Sequence, residues 1–117
     1  MRSIIDQDRF FGFRGQEKYR LNNPGISEEA AKWIRNRYPE IRALGIDTIS
    51  VTAYQHREEG RRVHQLFLDP ESFNKNPLLI IEDIDLSNDL KGLKKIYAVP
   101  VFVEGVGSMI CTIIGEF

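Results

Sequence analysis

Near neutral pH, the side chains of this chain that could ligate a metal or move a proton are few in kind. There are two histidines, one cysteine and 17 carboxylates. The positions that stand out are polar residues at the ends of apolar runs: Asp47, Thr48, His56, His64, Glu82, Asp83 and Asp85. Asp47 interrupts an apolar stretch, which favours a structural hydrogen bond to a neighbouring backbone over a catalytic role. His56 and His64 are eight residues apart, too far to clamp one ion as an adjacent-turn helical pair does. His64 falls within an apolar helical pattern, where a lone histidine reads as a core or boundary residue. Glu82 directly follows Leu-Leu-Ile-Ile and admits two readings. It stands at the mouth of a buried strand, where open α/β sheets bind ligands and a metal would relieve its burial, or it lies one residue beyond the strand and is solvated.

No nucleophile constellation accompanies these residues. There is no Gly-x-Ser-x-Gly elbow and no Gly-x-x-x-x-Gly-Lys phosphate loop. Cys111 lies inside an apolar strand pattern, where a thiol is usually inert. The Gly105-Val106-Gly107-Ser108 stretch precedes a strand pattern instead of a helix, so it lacks the helix N-terminus that would bind phosphate.

The elements that would position these groups follow from periodicity. Residues 1–21 show no sustained period and read as an irregular lead-in, apart from Phe10, Phe11 and Phe13, an apolar cluster that must dock on the domain or meet a partner. Asn22-Asn23-Pro24-Gly25 is a turn by composition. It leads to Ser27, a helix cap, with Glu28 and Glu29 at the positive end of a helix that carries Ala30, Ala31, Ile34 and Tyr38 to Pro39. Ala43 to Val51 reads as a buried strand, 52–60 as a loop, and Arg61 to Leu68 as a second helix ended by Asp69-Pro70. Leu78 to Ile81 reads as another buried strand and Leu86 to Leu93 as one or two helical turns. Ile96 to Glu104 and Met109 to Ile114 read as the arms of a C-terminal antiparallel hairpin. The expected class is α/β, a mixed sheet with a few helices.

Composition sets the outer limits. A chain of 117 residues with 42% hydrophobic and 28% charged residues suits one soluble domain, here spanning 1–117. Sixteen basic residues against seventeen acidic give a net charge of −1, which provides no field to recruit nucleic acid or an anionic membrane. Apolar runs are broken by Pro77, Glu82, Pro100 and Glu104 before they reach a membrane-spanning length. One cysteine forms no internal disulfide, and the opening MRSIIDQDRFFGFRG lacks the apolar core of a secretory signal, so the expected location is cytoplasmic.

The order of segments then carries a resemblance. KYRLNNPGISEEAAKWI, ALGIDTISV, VHQLFL, LLIIEDIDLSNDLKGL and IYAVPVFVEGVGSMICTI together resemble the second half of the Putative cyclase and kynurenine formamidase family of metal-dependent hydrolases. That family carries, in this order, a Pro-Gly-Ile-Ser helix, a Gly-Ile-Asp-Thr strand, a His-Arg-x-Leu-Leu helix, an Ile-Ile-Glu strand and a closing hairpin. The resemblance implies a swivelling β/β/α-like fold, incomplete here, and a divalent metal, zinc or manganese. His64 looks like the family's helical histidine and Glu82 like its strand glutamate, both metal-site residues, with His64 also the catalytic candidate. The family's His-x-Gly-Thr-His-x-Asp metal motif has no counterpart in the chain. Gln65 stands where the family has arginine, Thr52 where it has aspartate and Met109 where it has the closing proline, and DPESFNKN lengthens the path to Glu82.

Two functions are therefore expected. The first is the C-terminal portion of a hydrolase of amide, formamide or cyclic amide bonds, inactive alone, whose chemistry is attack of hydroxide on a carbonyl at a metal completed by a missing N-terminal half or a homo-oligomer. The second is a non-enzymatic α/β module for oligomerisation or binding, with no metal. Losing half of a shared core would leave apolar surface for self-association at the sheet edge. The hydrolase reading requires the His64 imidazole and the Glu82 carboxylate to converge.

Overall fold

A computed structural model describes residues 2–3, 21–72 and 76–117. Phe10, Phe11, Phe13 and most of the expected lead-in lie outside the described residues. Strand β1 is Arg2–Ser3, helix α1 is Glu28–Arg37, strand β2 is Ala43–Gly45 and helix α2 is Arg57–Leu68. Strands β3 (Leu79–Ile81), β4 (Lys95–Pro100) and β5 (Cys111–Glu116) complete the order. The α/β class with strands of both orientations and a C-terminal antiparallel hairpin is thus present, in two separate ladders.

Helix α1 starts where its cap predicts. The Ser27 hydroxyl accepts the Ala30 N–H at 3.2 Å, acidic residues occupy the first turn, and Arg35 and Arg37 occupy the last. Ala31 and Arg35, four apart, form its buried stripe. The Arg35 guanidinium donates through Nη2 to the Asn76 carbonyl, and burial lowers its pKa from the ordinary arginine value. Helix α2 begins at Arg57, four residues before the expected start, after a 3-10 turn at Tyr54–His56. The polar run Arg57-Glu58-Glu59 is therefore a solvated first helical turn and not a loop, with its carboxylates at the positive end of the helix. Gly60, Val63 and Phe67 form the face that packs inward.

The two helices are tied at their N-terminal ends. Glu28 receives Lys32 Nζ at 2.6 Å and Arg62 Nε at 2.5 Å, while the Glu28 N–H donates to Glu59 Oε1 at 2.9 Å. Hydrogen bonds from Lys32 and Arg62 hold the Glu28 carboxyl below its ordinary 4.5.

Strands β2 and β3 run parallel, Ala43 opposite Leu79 and Gly45 opposite Ile81. Strand β5 is central in the second ladder, between β1 and β4, both antiparallel to it. The strand expected over 43–51 ends at Gly45. Beyond it Thr48 Oγ1 donates to the Ser50 carbonyl at 2.8 Å, and Thr48 O accepts the Asp83 N–H at 2.9 Å, so 46–53 is a bent strap beside β3. The helical turns expected at 86–93 do not form. Asp85 and Asp89 accept the N–H groups of Ser87 and Lys91, two residues on, at 2.8 and 2.9 Å, which favours turns over helix, and Gly92 sits at φ 87. The first hairpin arm stops at Pro100, before the expected Glu104, and the second begins at Cys111.

The larger core cluster joins Ala31, Val51, Val63, Phe67 and Leu78, so both helices, the strap and the entry to β3 share it. Ile84 and Ile113 form a smaller cluster under the second ladder. Among the described residues no helix is long and apolar enough to cross a membrane.

Candidate functional site

The site is built where α2, the 46–53 strap and the end of β3 meet. Two glycines permit that approach. A Cβ on Gly25 would stand 2.0 Å from the Ala53 nitrogen, and one on Gly60 would stand 2.9 Å from Thr52 Oγ1, so neither position tolerates a side chain without displacing the strap. The buried Asn23 side chain fastens the strap from below. Its Nδ2 lies 3.1 Å from Thr52 O, 3.4 Å from Ser50 O and 3.0 Å from Pro24 O. The Ile26 N–H adds a bond to Val51 O at 2.8 Å.

With both flanking carbonyls held, the Val51 N–H points at Glu82 and donates to its Oε1 at 2.8 Å. Glu82 is the first residue past β3, and Asp83 after it takes φ 58, a left-handed conformation rare for a residue with a Cβ. On α2, His64 Nδ1 lies 2.8 Å from the carbonyl of Gly60, one turn earlier. A carbonyl only accepts, so Nδ1 carries the proton and the neutral ring presents a bare Nε2. That Nε2 stands 4.0 Å from Glu82 Oε1, with the two side chains 38% and 34% exposed. The imidazole and the carboxylate therefore converge, 18 residues apart in sequence.

The pair has a definite chemistry. A bare imidazole nitrogen and a carboxylate oxygen are both acceptors, and 4.0 Å exceeds any direct hydrogen bond. A proton on Nε2, a donating water or a cation between them satisfies both. The donors suit zinc or manganese, being one neutral imidazole whose other nitrogen is fixed by a carbonyl and one carboxylate fixed by a backbone amide. On a tetrahedral zinc two such ligands lie about 3.4 Å apart, so a small side-chain closure accommodates an ion. They are two ligands where a hydrolytic site ordinarily has about three. Among the described residues no group of three His, Cys, Asp or Glu side chains could hold a metal. The pair fits as part of a ligand set and not as a whole one.

His56, Asp85, Thr48 and Cys111 have other roles. His56 ends the 3-10 turn, about 12 Å along the helix axis from His64. Asp85 is occupied by Ser87 and Asn88, at 2.5 to 3.0 Å, in a local turn. Thr48 serves the strap. Cys111 opens β5. Asn23, Gly60 and the Val51 amide were not legible as site residues. Asn-Asn-Pro-Gly signals a turn, and nothing local indicates that its second asparagine reaches carbonyls 27 and 29 residues away.

Residues 2–53 match the family profile Cyclase, described as Putative cyclase. The match covers β1, α1, β2 and the whole strap. No curated protein and no solved structure matches the chain significantly.

Proposed function

We propose that the chain, whose residues 2–53 match the family described as Putative cyclase, is part of a metal-dependent hydrolase of amide, formamide or cyclic amide bonds in which His64 and Glu82 are two of the metal ligands. The observation that carries this reading is the 4.0 Å approach of His64 Nε2 to Glu82 Oε1, with each group oriented from behind by a backbone partner. A bound divalent ion would supply a lowered water pKa and a polarised carbonyl. The chain's own residues do the positioning. The Gly60 carbonyl fixes the ring tautomer, Val51 N–H fixes the carboxylate, and Asn23 fixes the strap that carries Val51. With two ligands the chain alone holds zinc weakly and turns over nothing. The remaining donors belong to another polypeptide segment or a second copy.

Equilibrium zinc titration of the wild type, His64→Ala and Glu82→Ala, with a hydrolysis assay on an N-formyl aromatic amide, tests this. Expected is weak binding lost in either variant, and no turnover by the chain alone. Unchanged binding in both variants would remove the two residues from the site. The competing reading is a metal-free module for self-association, which the exposed apolar hairpin favours. Wild-type protein that takes up no zinc would decide for it.

A further inference from the structure

The path out of β3 carries a bulge at Asp83. The ladder with β2 is regular as far as Ile81, whose carbonyl accepts the Ile46 N–H at 2.9 Å. In a continuing parallel ladder the Ile46 carbonyl would take the N–H two residues beyond Ile81, that of Asp83. It takes the Ile84 N–H at 3.1 Å, and the Asp83 N–H crosses to Thr48 O at 2.9 Å. One extra residue is thus inserted opposite Ile46, and that residue holds φ 58. Side-chain alternation agrees. Ile80 packs on the larger core cluster and Ile81 on the smaller one, so strict alternation would send Asp83 to the face of Ile81 and Ile84 to that of Ile80. Ile84, 9% exposed, joins the cluster against which Ile81 packs. The insertion keeps the Asp83 carboxylate out of that cluster. Bulges of this kind bend a strand and re-aim side chains beside functional sites.

Glu82 stands between the last regular rung and the bulge. Its carboxylate accepts the Val51 N–H, and the peptide that follows it donates to Thr48 O, so one strap grips both its side chain and its backbone. Among the described residues the Asp83 carboxylate makes no hydrogen bond or ion pair. We infer that Asp83 is a positioning residue of the His64–Glu82 site, whose left-handed bulge, and not its carboxylate, aims Glu82 at Val51 and His64. The inference deepens the metal reading and rests on it only where zinc is the readout. Aspartate and asparagine enter the left-handed region several times more often than other residues with a Cβ, glycine enters it freely, and a β-branched residue is an outlier there. Substitution at this position therefore separates backbone from charge.

The test is nitrogen–proton NMR of the full 117-residue chain, with zinc titration of the same samples, on the wild type, Asp83→Gly, Asp83→Asn, Asp83→Ala and Asp83→Val. The reporter is the Val51 amide proton, which its bond to a carboxylate shifts downfield. Glu82→Ala supplies its position without that bond. Expected in Asp83→Gly and Asp83→Asn are the wild-type Val51 resonance and a zinc affinity within about twofold of wild type. In Asp83→Val the resonance should move to the Glu82→Ala position and zinc affinity should fall roughly tenfold. Asp83→Ala, with a Cβ and no branch, should move part-way in the same direction, and it decides the matter where the valine variant does not fold. Loss of stability alone lowers a urea midpoint and leaves the folded-state resonance in place, so the resonance reads aiming. A folded valine variant with the wild-type Val51 resonance would overturn the inference. Loss of zinc in Asp83→Gly or Asp83→Asn with the resonance intact would also overturn it, by making the Asp83 carboxylate a ligand. A wild type that takes up no zinc removes the metal reading, and the Val51 resonance alone then decides the role of Asp83.

Discussion

Replacing Glu82 separates its two jobs, holding the strap and presenting a charge to His64. In Glu82→Ala the buried Val51 N–H, on a residue 1% exposed, loses its acceptor at 2.8 Å. A hydrogen bond to a charged group contributes about 1.5–3 kcal/mol, and an orphaned buried amide costs a similar amount. Because the carboxylate is one-third exposed, the lower part of that range applies, and Glu82→Ala should cost about 2 kcal/mol. Glu82→Gln keeps an amide oxygen in the same place but loses the charge assistance, roughly half of the bond's strength. It should cost about 1 kcal/mol or less. With a urea slope of about 2 kcal/mol/M, the midpoints fall by about 1 M and at most about 0.5 M. Urea unfolding followed by circular dichroism reads both. Equal midpoints for the two variants would show that the Val51 contact is not what Glu82 contributes to the fold, and the strap would need another anchor.

Four further outcomes follow from the packing and charges. Gly25→Ala drives a Cβ to 2.0 Å from the Ala53 nitrogen and should lower stability by about 1–3 kcal/mol or more, visible as a lower melting temperature. Phe67→Ala empties the centre of the larger cluster, where Phe67 is fully buried, and should cost about 3–5 kcal/mol in urea unfolding. Ser27→Ala removes the α1 cap and should cost about 1 kcal/mol by the same measurement. Glu28 has its pKa lowered by Lys32 and Arg62, so its contribution is present above the ordinary 4.5 and is lost as pH falls through the depressed value. Melting scans across acid pH should therefore show a shallower acid loss in Glu28→Gln than in the wild type.

What could be read from the chain without coordinates was set by local chemistry. The Ser27 cap, the acidic first turn and Pro39 fix α1 within a few residues of one another, and the glycine-rich connection at 105–108 signals the hairpin. The errors fall where side chains compete with the backbone. Thr48 pulls the chain out of the β2 ladder, and Asp85 and Asp89 convert an expected helix into turns. The early start of α2 was hidden because a solvated first turn has no apolar period. His64 and Glu82 were recognisable from their residue types and from the family resemblance. Their orientation was not, because it depends on the Gly60 carbonyl, the Val51 amide and the long reach of Asn23.

The central claim is that His64 turns a bare Nε2 toward Glu82 in readiness for a cation. Nitrogen NMR of the His64 ring, in wild type and Glu82→Ala with and without zinc, measures this directly. The account predicts the Nδ1-protonated tautomer in the neutral ring, and an Nε2 resonance that moves on zinc addition in the wild type and much less in Glu82→Ala. An Nε2-protonated tautomer, or a ring indifferent to zinc at millimolar concentration, would contradict it.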